Sequence, residues 1–281
     1  MPSALVDLRV EPVDDVLTHV ERALQVSLDR EAVVRKRRSI GAPTSRNTWV
    51  RIERRTTDRI DGQGWNGTET SAVLAEVARP AWYAGAAWRD PSAPAMWRAD
   101  ETELITAKPV KPGGVLTEAP DLADSWWGAL NVSLDALASY STSRIATPDT
   151  VPIERSGVWA TIRRAFPDSS LDITFDAWTP AHADLNWANL TGPKECWLLD
   201  WEDWGMAPRG LDAASLWGAS LAVPDLADRV WRERRSDLEC RTGRIMCLFV
   251  CAKILDYGDD DPRAEPARRE SSGLLLDIYG R

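Results

Sequence analysis

The sequence predicts an α+β protein with a small, strand-rich N-terminal part and a larger, mostly helical C-terminal part. Two runs in which β-branched and charged residues alternate lie within the first 60 residues, as is typical of strands. Helical spacing of apolar residues dominates after about residue 119. A chain of 281 residues can bury two modest cores, because domains usually run to about 100–200 residues. We therefore expect two lobes that share a cleft.

The N-terminal part is predicted to begin with a helix over residues 12–28, where apolar residues follow an acidic first turn at helical spacing. Two strands follow, in segments 32–40 (AVVRKRRSI) and 48–55 (TWVRIERR). A loop of small residues, 41–47 (GAPTSRN), joins them. A second helix is predicted from Gly67 to Pro80, since proline ends a helix.

Segment 101–114 (ETELITAKPVKPGG) predicts a short apolar strand that runs into a turn of proline and glycine. We place the domain boundary there, which divides the chain into domains 1–106 and 107–281. The second domain is predicted to carry a helix in 121–140 and to be mostly helical over 211–255.

A polar loop is expected between this helical region and the end of the chain. The sequences DDDP, at 259–262, and EPARRES, at 265–271, predict the loop. A last amphipathic helical turn follows it.

The charge of the chain restricts its partners. The net charge is −9, which argues against nucleic acid as the main partner because phosphate backbones bind basic surfaces. Residues 1–105 have 15 basic and 16 acidic residues, or −1, whereas residues 106–281 have 19 and 27, or −8. No run approaches the roughly 18 apolar residues of a membrane span, and the N-terminus does not resemble a signal peptide. We expect a cytoplasmic protein without a membrane partner.

Segment 182–190 (HADLNWANL) contains one of the two histidines of the chain, His182, together with Asp184 and Asn189. Its polar residues are poor interior helix formers and predict a loop. The following ECWLLDWED predicts a strand that ends at Asp200, after the turn TGPK. Loop and hairpin are expected to bring Asp184, Asn189 and Asp200 together.

These residue types suit phosphoryl transfer. The reaction needs an oxygen base for the attacking hydroxyl and hard oxygen ligands for magnesium. The protein-kinase template has an Asp base, an Asn five residues later and a metal-binding Asp after the next strand. Asp184, Asn189 and Asp200 have that order, and His182 would brace the loop through a hydrogen bond.

An ordinary polar turn is the alternative for segment 182–190. The apolar strand that ends in Asp200 is a second, independent requirement that favours the catalytic interpretation. A metal hydrolase would need more histidine or a denser carboxylate cluster. A serine hydrolase would need a G-x-S-x-G elbow, which the sequence lacks.

HADLNWAN followed by LLDWEDWGMAPRGLDAASL resembles the aminoglycoside phosphotransferase family. That family is the small-molecule branch of the protein-kinase-like fold and includes choline and homoserine kinases. Its usual pattern is HGDLHPGN, a strand, and IDWEDAGxGDPAxDLA. The resemblance implies a bilobal protein-kinase-like fold in which Asp184 is the catalytic base and Asn189 and Asp200 hold Mg²⁺. It also implies that Asp212 pins the loop.

The resemblance extends upstream of residue 182 with less specific motifs. It implies that residues 1–106 form the nucleotide-binding lobe and residues 107–281 the catalytic and substrate-binding lobe. Arg51 stands where the family places a phosphate-binding Lys or Arg, and Glu69 resembles its helix partner. Each is equally well a surface charge. SIGAPTSRN would be the loop over the phosphates and LITAKPV the adenine hinge. The nucleotide contacts implied there are Ser45, Arg46, Thr106, Ala107 and Lys108.

The acceptor side departs from the family pattern, because Asn186, Trp187 and Ala188 replace the usual HPG. We assign Glu202, Trp187 and Trp204 to the acceptor site, where the tryptophans would form an apolar or stacking wall. Most tryptophans in such a set belong to the core, which is the alternative for each.

The sequence therefore predicts a small-molecule kinase that transfers the γ-phosphate of ATP or GTP, with Mg²⁺, to a hydroxyl of a small acceptor. An aminoglycoside or other cationic amino sugar would suit the acidic second lobe; a neutral metabolite or a macrolide is also open. The main alternative is a non-catalytic nucleotide-binding or scaffold protein of the same fold. The short segment between DWEDWG and LDAASL argues against protein phosphorylation, because it leaves no room for an activation segment. The oligomeric state stays open.

Overall fold

A computed structural model describes residues 7–60, 63, 65–167 and 173–279. The chain divides into two compact units. Unit 1 comprises Met1–Val73 and Pro80–Thr106, and unit 2 comprises Leu74–Arg79 and Ala107–Arg281. Each unit has its own cluster of buried apolar residues.

Unit 1 contains an antiparallel sheet, which in the described residues has five strands in the order β1-β2-β3-β5-β4. Helix α1 (Asp14–Leu24) precedes the sheet, and the short helix α2 (Gly67–Thr70) lies between its third and fourth strands. The strands are β1 (Val34–Arg35), β2 (Ser39–Pro43), β3 (Thr48–Thr56), β4 (Trp82–Arg89) and β5 (Ala95–Glu103).

Alternation along β3 gives the sheet one apolar and one polar face. Val50 and Ile52 are fully buried in a cluster with Leu17 and Val20 of α1, because successive side chains of a strand point to opposite faces. Arg51, on the other face of β3, is partly exposed. The sequence predicted both α1 and β3.

The helix predicted from Gly67 to Pro80 is wrong beyond its first turn. The chain forms α2 and then a 3-10 turn over Ser71–Val73. The backbone of Ala78 shows why the helix stops: its N–H donates to Ser133 Oγ at 3.2 Å and its carbonyl accepts from Leu198 N at 2.8 Å. These tertiary hydrogen bonds replace those of a longer helix.

Unit 2 is mostly helical, as the sequence predicted. Most helices form one apolar cluster with the short antiparallel hairpin β6–β7. The helices are α3 (Asp124–Ser139), α4 (Arg155–Ala165), α5 (Leu211–Ser220), α6 (Pro224–Glu233), α7 (Arg235–Leu238), α8 (Arg241–Leu255) and α9 (Ala264–Tyr279). The hairpin strands are β6 (Trp178–Ala181) and β7 (Gly205–Pro208).

The polar loop predicted at 265–271 is wrong, because α9 covers that segment. Ala267, Ser271 and Leu274 are buried on the face of this helix that packs into unit 2. Their spacing of three to four residues is that of an amphipathic helix, which the surrounding charges hid. Among the described residues, every helix is too short or too polar to cross a membrane.

Gly205, the first residue of β7, is required by close backbone packing beside the hairpin. A Cβ atom there would lie 2.6 Å from both Ala146 N and Ile145 C. Gly205→Ala is therefore expected to lower the free energy of unfolding by about 1–3 kcal/mol, the usual cost of overpacking. Urea denaturation measures this change.

Gly157→Ala is the matched control for that prediction. Gly157 lies exposed in α4 and has no atom within 4 Å of the added methyl group. Alanine should stabilise this helix by up to about 1 kcal/mol. Equal stability of the two variants would contradict the packing explanation for Gly205.

Candidate active site

The candidate site lies on the loop that follows β6, over residues 182–190. Strand β6 pairs with β7 in the register Ala181↔Gly205. The start of the loop, at His182, therefore lies next to the start of β7. The described side chains of this site all belong to unit 2.

Asp212, in the first turn of α5, holds the start of the loop. Its Oδ2 accepts from His182 N at 2.7 Å and its Oδ1 accepts from Ala183 N at 2.8 Å. Ala183 has φ of +71°, a left-handed conformation that costs a non-glycine residue about 1–2 kcal/mol. Burial raises the pKa of Asp212, against the lowering effects of His182 and of the two N–H groups. Asp212 thus stabilises a strained turn.

His182 is fully buried, and both of its ring nitrogens are engaged. Nε2 lies 2.7 Å from the carbonyl oxygen of Leu199, so Nε2 carries the proton and donates it. Nδ1 then accepts from Asp184 N at 3.3 Å. The ring also packs edge-on against Trp201 at 4.7 Å between centroids. His182 connects the loop to the segment before Asp200 and does not reach the surface.

Asp184 accepts hydrogen bonds from two asparagines of its own loop. Asn189 Nδ2 donates to Asp184 Oδ2 at 2.8 Å, and Asn186 Nδ2 donates to Oδ1 at 3.1 Å. Because the amide nitrogen of Asn189 faces Asp184, its Oδ1 is the atom that could bind a cation. Asp184 itself is exposed, whereas Asn189 is 9% exposed.

The pKa of Asp184 is raised. The protein packed around the carboxylate is the largest cause, and the neighbouring carboxylates Asp200 and Glu202 add to it, while His182 and the Asn189 hydrogen bond oppose it. Like charges close together disfavour ionisation. A raised pKa brings a carboxyl group nearer to the range in which a general base works well.

A single β-bridge, rather than the predicted strand, positions the segment that ends at Asp200. Leu190 and Leu198 form the bridge, and Leu199 N donates to Asn189 O at 2.8 Å. Asp200 then has φ of +68°, immediately before the 3-10 turn Trp201–Asp203. The strand prediction is wrong in extent, because this left-handed residue ends the extended segment.

The donor set fits a hard divalent cation. Two neighbouring carboxylates, Asp200 and Glu202, raise the pKa of Asp184 by their charge, and a bound cation would relieve this repulsion. In the described part of the chain no group of three or more His, Cys, Asp and Glu side chains forms a ready metal cage. Magnesium is commonly held by one or two carboxylates with waters and substrate phosphates, so Asn189 Oδ1 and Asp200 suffice.

The two tryptophans assigned to the acceptor wall are core residues. Trp204 is 2% exposed and packs on Tyr140. Trp187 is 3% exposed, stacks on Trp126 at 6.2 Å and donates from Nε1 to Ser220 Oγ at 3.0 Å. The wall prediction is wrong for Trp204, whereas Trp187 still contributes an edge to the cavity described next. Glu202 lies on the 3-10 turn beside Asp200 and does not line this cavity.

A cavity of about 260 Å³ adjoins Asp184 within unit 2, and we call it the Asp184 cavity. The loop 183–188 forms one side of it, and α5 and α8 form others. Buried apolar side chains and two cationic residues that the sequence did not point to also line it, namely Leu116, Val250, Ile254, Lys253 and Arg263.

In unit 1, Glu69 of α2 pairs with a different arginine from the expected one. Arg98 of β5 donates to Glu69 Oε2 at 3.1 Å and to Asp100 Oδ1 at 2.6 Å. Arg51 forms an ion pair with Glu53 two residues along β3. The resemblance implied an Arg51–Glu69 pair. Strand β5, which the sequence did not predict over its full length, supplies the observed partner.

The segment predicted as the phosphate loop is instead strand β2 and a tight turn to β3. Ser45 N donates to Ser27 O at 2.9 Å, and Arg46 Nη2 lies 3.2 Å from Leu24 O and 3.3 Å from Glu101 Oε2. These contacts hold the turn within unit 1, and the role of Ser45 and Arg46 as nucleotide contacts stays a prediction. The turn between β1 and β2 carries three exposed cationic residues, which lie within the predicted strand 32–40: Lys36, Arg37 and Arg38.

The hinge segment lies at the boundary between the units, with Thr106 ending unit 1 and Ala107 resuming unit 2. Strand β5 ends at Glu103, so Thr106 and Ala107 lie beyond it. The carbonyl of Lys108 accepts from Gly192 N at 3.0 Å and is therefore engaged. Thr106, Ala107 and the N–H of Lys108 stay candidates for the hinge.

Sequence comparison finds no match, either among known protein families or among curated proteins. Structure comparison finds many. Amicoumacin kinase hAmiN, in complex with AMP-PNP, Ca²⁺ and Ami, has a TM-score of 0.56 and 13% identity, over 93% of each chain. The chain has a kinase-like fold.

Other phosphotransferases agree with that assignment. A thermostable mutant of aminoglycoside phosphotransferase APH(4)-Ia, with ADP and hygromycin B, has a TM-score of 0.54 and 13% identity, covering 94% of this chain and 98% of that one. Spectinomycin phosphotransferase APH(9)-Ia, with ADP and spectinomycin, has a TM-score of 0.53 and 8% identity, covering 96% and 98%. The kinase-like fold predicted from HADLNWAN and LLDWEDWG is thus confirmed, at identities too low for a sequence match.

Proposed function

We propose that this protein is a kinase that transfers the γ-phosphate of ATP or GTP to a hydroxyl group of a small molecule. The observation that supports it most is Asp184, an exposed carboxylate with a raised pKa at the edge of a cavity, held by Asn189 beside Asp200. The kinase-like fold supplies the framework in which these residue types transfer phosphate.

Asp184 is the general base in this proposal. A hydroxyl group of an acceptor in the Asp184 cavity donates its hydrogen bond to the carboxylate, which orients the oxygen and takes its proton as the new bond to the γ-phosphorus forms. The bond from the γ-phosphorus to the β,γ-bridging oxygen breaks, and the nucleoside diphosphate leaves. Asn186 and Asn189 hold the carboxylate at 3.1 Å and 2.8 Å. His182 positions the loop and does not exchange protons, because the hydrogen bonds of its two ring nitrogens are already made.

Asn189 and Asp200 are the proposed magnesium ligands, and Mg²⁺ would neutralise charge on the phosphates. We assign the nucleotide to the lobe formed by residues 1–106 and catalysis to the lobe formed by residues 107–281. Arg98 is already paired with Glu69 and Asp100, whereas the cationic turn between β1 and β2 suits phosphate oxygens by charge.

Transfer of label from γ-labelled ATP or GTP to a small acceptor tests the proposal directly. The protein is incubated with Mg²⁺ and a panel of hydroxyl compounds that includes amino sugars, neutral sugars and hydroxy acids. The expected result is a labelled phosphate ester that forms with the parent protein and not with Asp184→Asn. Nucleotide binding without transfer to any compound would favour the scaffold alternative.

Nucleotide binding should depend on magnesium. With Mg²⁺ present and ATP at a hundredfold excess over its dissociation constant, the expected stabilisation is about 2.7 kcal/mol. EDTA or Asp200→Ala should remove most of it, because the phosphates would lose the bridging cation. Thermal denaturation with and without ATP measures the effect.

Asp259→Ala is the matched control for Asp200→Ala. Asp259 has a side chain that is 84% exposed and pairs with Arg268, so its removal deletes a carboxylate of unit 2 outside the loop. Full magnesium-dependent stabilisation is expected in this control. Undiminished stabilisation of Asp200→Ala would disprove the metal assignment.

A further inference from the structure

We propose that the acceptor is a small hydroxyl compound with a single anionic group, such as a carboxylate, and an apolar body, rather than a polycationic amino sugar. The proposal rests on the proposed function, since it assigns the Asp184 cavity to the acceptor. Lys253 and Arg263 are the residues that would bind the anionic group.

The size of the cavity favours a small ligand. Its volume is about 260 Å³, whereas sites for drug-sized ligands usually measure about 300–1,000 Å³. A single ring or a short chain fits such a cavity better than a compound of several linked sugar rings.

Two cationic side chains face the cavity. Lys253 of α8 lies 2.7 Å from Asp149 Oδ2, and the Asp149 side chain is 74% exposed, so solvent reaches this pair. The ammonium group keeps further N–H donors for a ligand. Arg263 uses Nε and Nη2 for Asp261, and its Nη1 has no hydrogen-bond partner in the described ranges. Both cations can therefore add an anion to their present contacts.

The charges that line the cavity balance, with two cationic and two acidic residues. Asp149 is paired with Lys253, and Asp184 is assigned to the acceptor hydroxyl. An ammonium group on the acceptor would meet Lys253 or Arg263, and like charges at short range repel. The second domain as a whole is acidic, but the residues that line this cavity are not predominantly acidic.

The backbone at the Asp149 side of the cavity is strained. Asp149 has φ of +59° and Thr150 has φ of +67°. Consecutive left-handed non-glycine residues are costly and persist where surrounding structure enforces them, often at ligand sites. Asp149 of this turn is the ion-pair partner of Lys253.

The remaining wall is apolar. Leu116, Val250 and Ile254 are 5%, 9% and 3% exposed and line the cavity together with Asp184 and the two cationic residues. An apolar body would bury apolar surface against them, which favours binding. These lining groups suit a molecule that carries a hydroxyl group, an apolar body and an anion.

Matched probes test the proposal by binding alone. The first series is 6-hydroxyhexanoate, 6-hydroxyhexanamide and 6-aminohexan-1-ol. The second is 4-(hydroxymethyl)benzoate with its amide and its aminomethyl analogue. Dissociation constants are measured by ligand-observed NMR titration of the full chain with AMP-PNP and Mg²⁺. The carboxylate should bind about tenfold or more tightly than the amine in at least one series, because hydrogen bonds to charged groups are the stronger ones.

Lys253→Met and Arg263→Met should each weaken carboxylate binding about tenfold and leave amide binding nearly unchanged. Arg164→Met is the matched control, because it removes a surface ion pair with Asp256, just beyond α8, and does not line the cavity. Carboxylates that bind no more tightly than amines, including carboxylates that do not bind at all, would overturn the proposal. So would unchanged carboxylate affinity in both variants.

Phosphate transfer to the same probes separates this proposal from the proposed function. A carboxylate that binds through Lys253 or Arg263 and is never phosphorylated would support the anion site and count against the kinase assignment. Phosphorylation of the amines in preference to the carboxylates would support the kinase assignment and count against the anion site.

Discussion

Asp184→Asn should lower turnover by about 100-fold to 10,000-fold, the usual contribution of a general base, and leave nucleotide affinity nearly unchanged. Asparagine keeps the size of the side chain and one of the two oxygens that accept from Asn186 and Asn189, and it removes the charge that accepts the proton. The measurement is phosphate transfer under saturating nucleotide, with nucleotide affinity determined separately. A variant that transferred phosphate at the parent rate would show that Asp184 only braces the loop.

At neutral pH, removal of the charge should favour the folded state, and the loss of one of the two oxygens that accept from Asn186 and Asn189 opposes this gain. Because the folded protein raises the pKa of Asp184, it disfavours the charged form. Below the ordinary carboxyl pKa both folded and unfolded states are protonated and no difference arises. As pH rises through the raised folded value, ionisation penalises the folded state. The variant lacks this penalty, so its melting temperature relative to that of the parent should decrease as pH falls into the ordinary carboxyl range.

The pH dependence of turnover should also report the raised pKa of Asp184. The base must be ionised, so activity should fall as pH decreases through the raised pKa of Asp184, above the ordinary value of 3.8. Asp259→Asn, on the surface of unit 2, should behave like the parent in rate. An acid limb at the ordinary carboxyl value would contradict the assigned environment.

Asp212→Ala should cost on the order of 3 kcal/mol in the free energy of unfolding. Its carboxylate is the acceptor for the N–H groups of His182 and Ala183, and each buried donor left without a partner costs about 1–3 kcal/mol. Turnover should fall as well, because the strained residue before Asp184 would relax. Urea denaturation and the transfer assay measure the two effects.

Asp225→Ala is the control for loss of a carboxylate in the first turn of a helix. Asp225 is exposed in the first turn of α6, and its removal should cost only about 0.3–1 kcal/mol. Equal losses for Asp212→Ala and Asp225→Ala would show that helix charge, not the loop, explains the role of Asp212. Asp212→Asn should be intermediate, since it keeps one acceptor oxygen.

The fold class was predictable because hydrophobic periodicity and one dense motif agree. Helix α1 and strand β3 follow from alternation that the core of unit 1 uses directly. The motif from His182 to Asp212 was recognisable in the sequence because part of the site forms within one loop. Asn189 Nδ2 donates to Asp184 Oδ2 only five residues away in sequence.

Other elements were set by tertiary contacts that no local pattern contains. Strand β4 (WYAGAAWR) is poor in β-branched residues, so its strand character comes from pairing with β5. The pair between Arg98 and Glu69 depends on that sheet. Lys253 and Arg263 lie about 70–80 residues beyond Asp184 in sequence, and only the packing of α8 and α9 brings them to the cavity.

The assignment of Leu74–Arg79 to unit 2 affects how the protein can be divided or recombined. A fragment cut after Thr106 carries these six residues away from the helices that bury Leu74 and Val77 and that bond to Ala78. Neither half of such a cut is a complete folding unit. Exchange of lobes with another protein of the same fold would have to graft this short stretch together with the C-terminal half, because a single crossover near residue 106 separates residues that pack together.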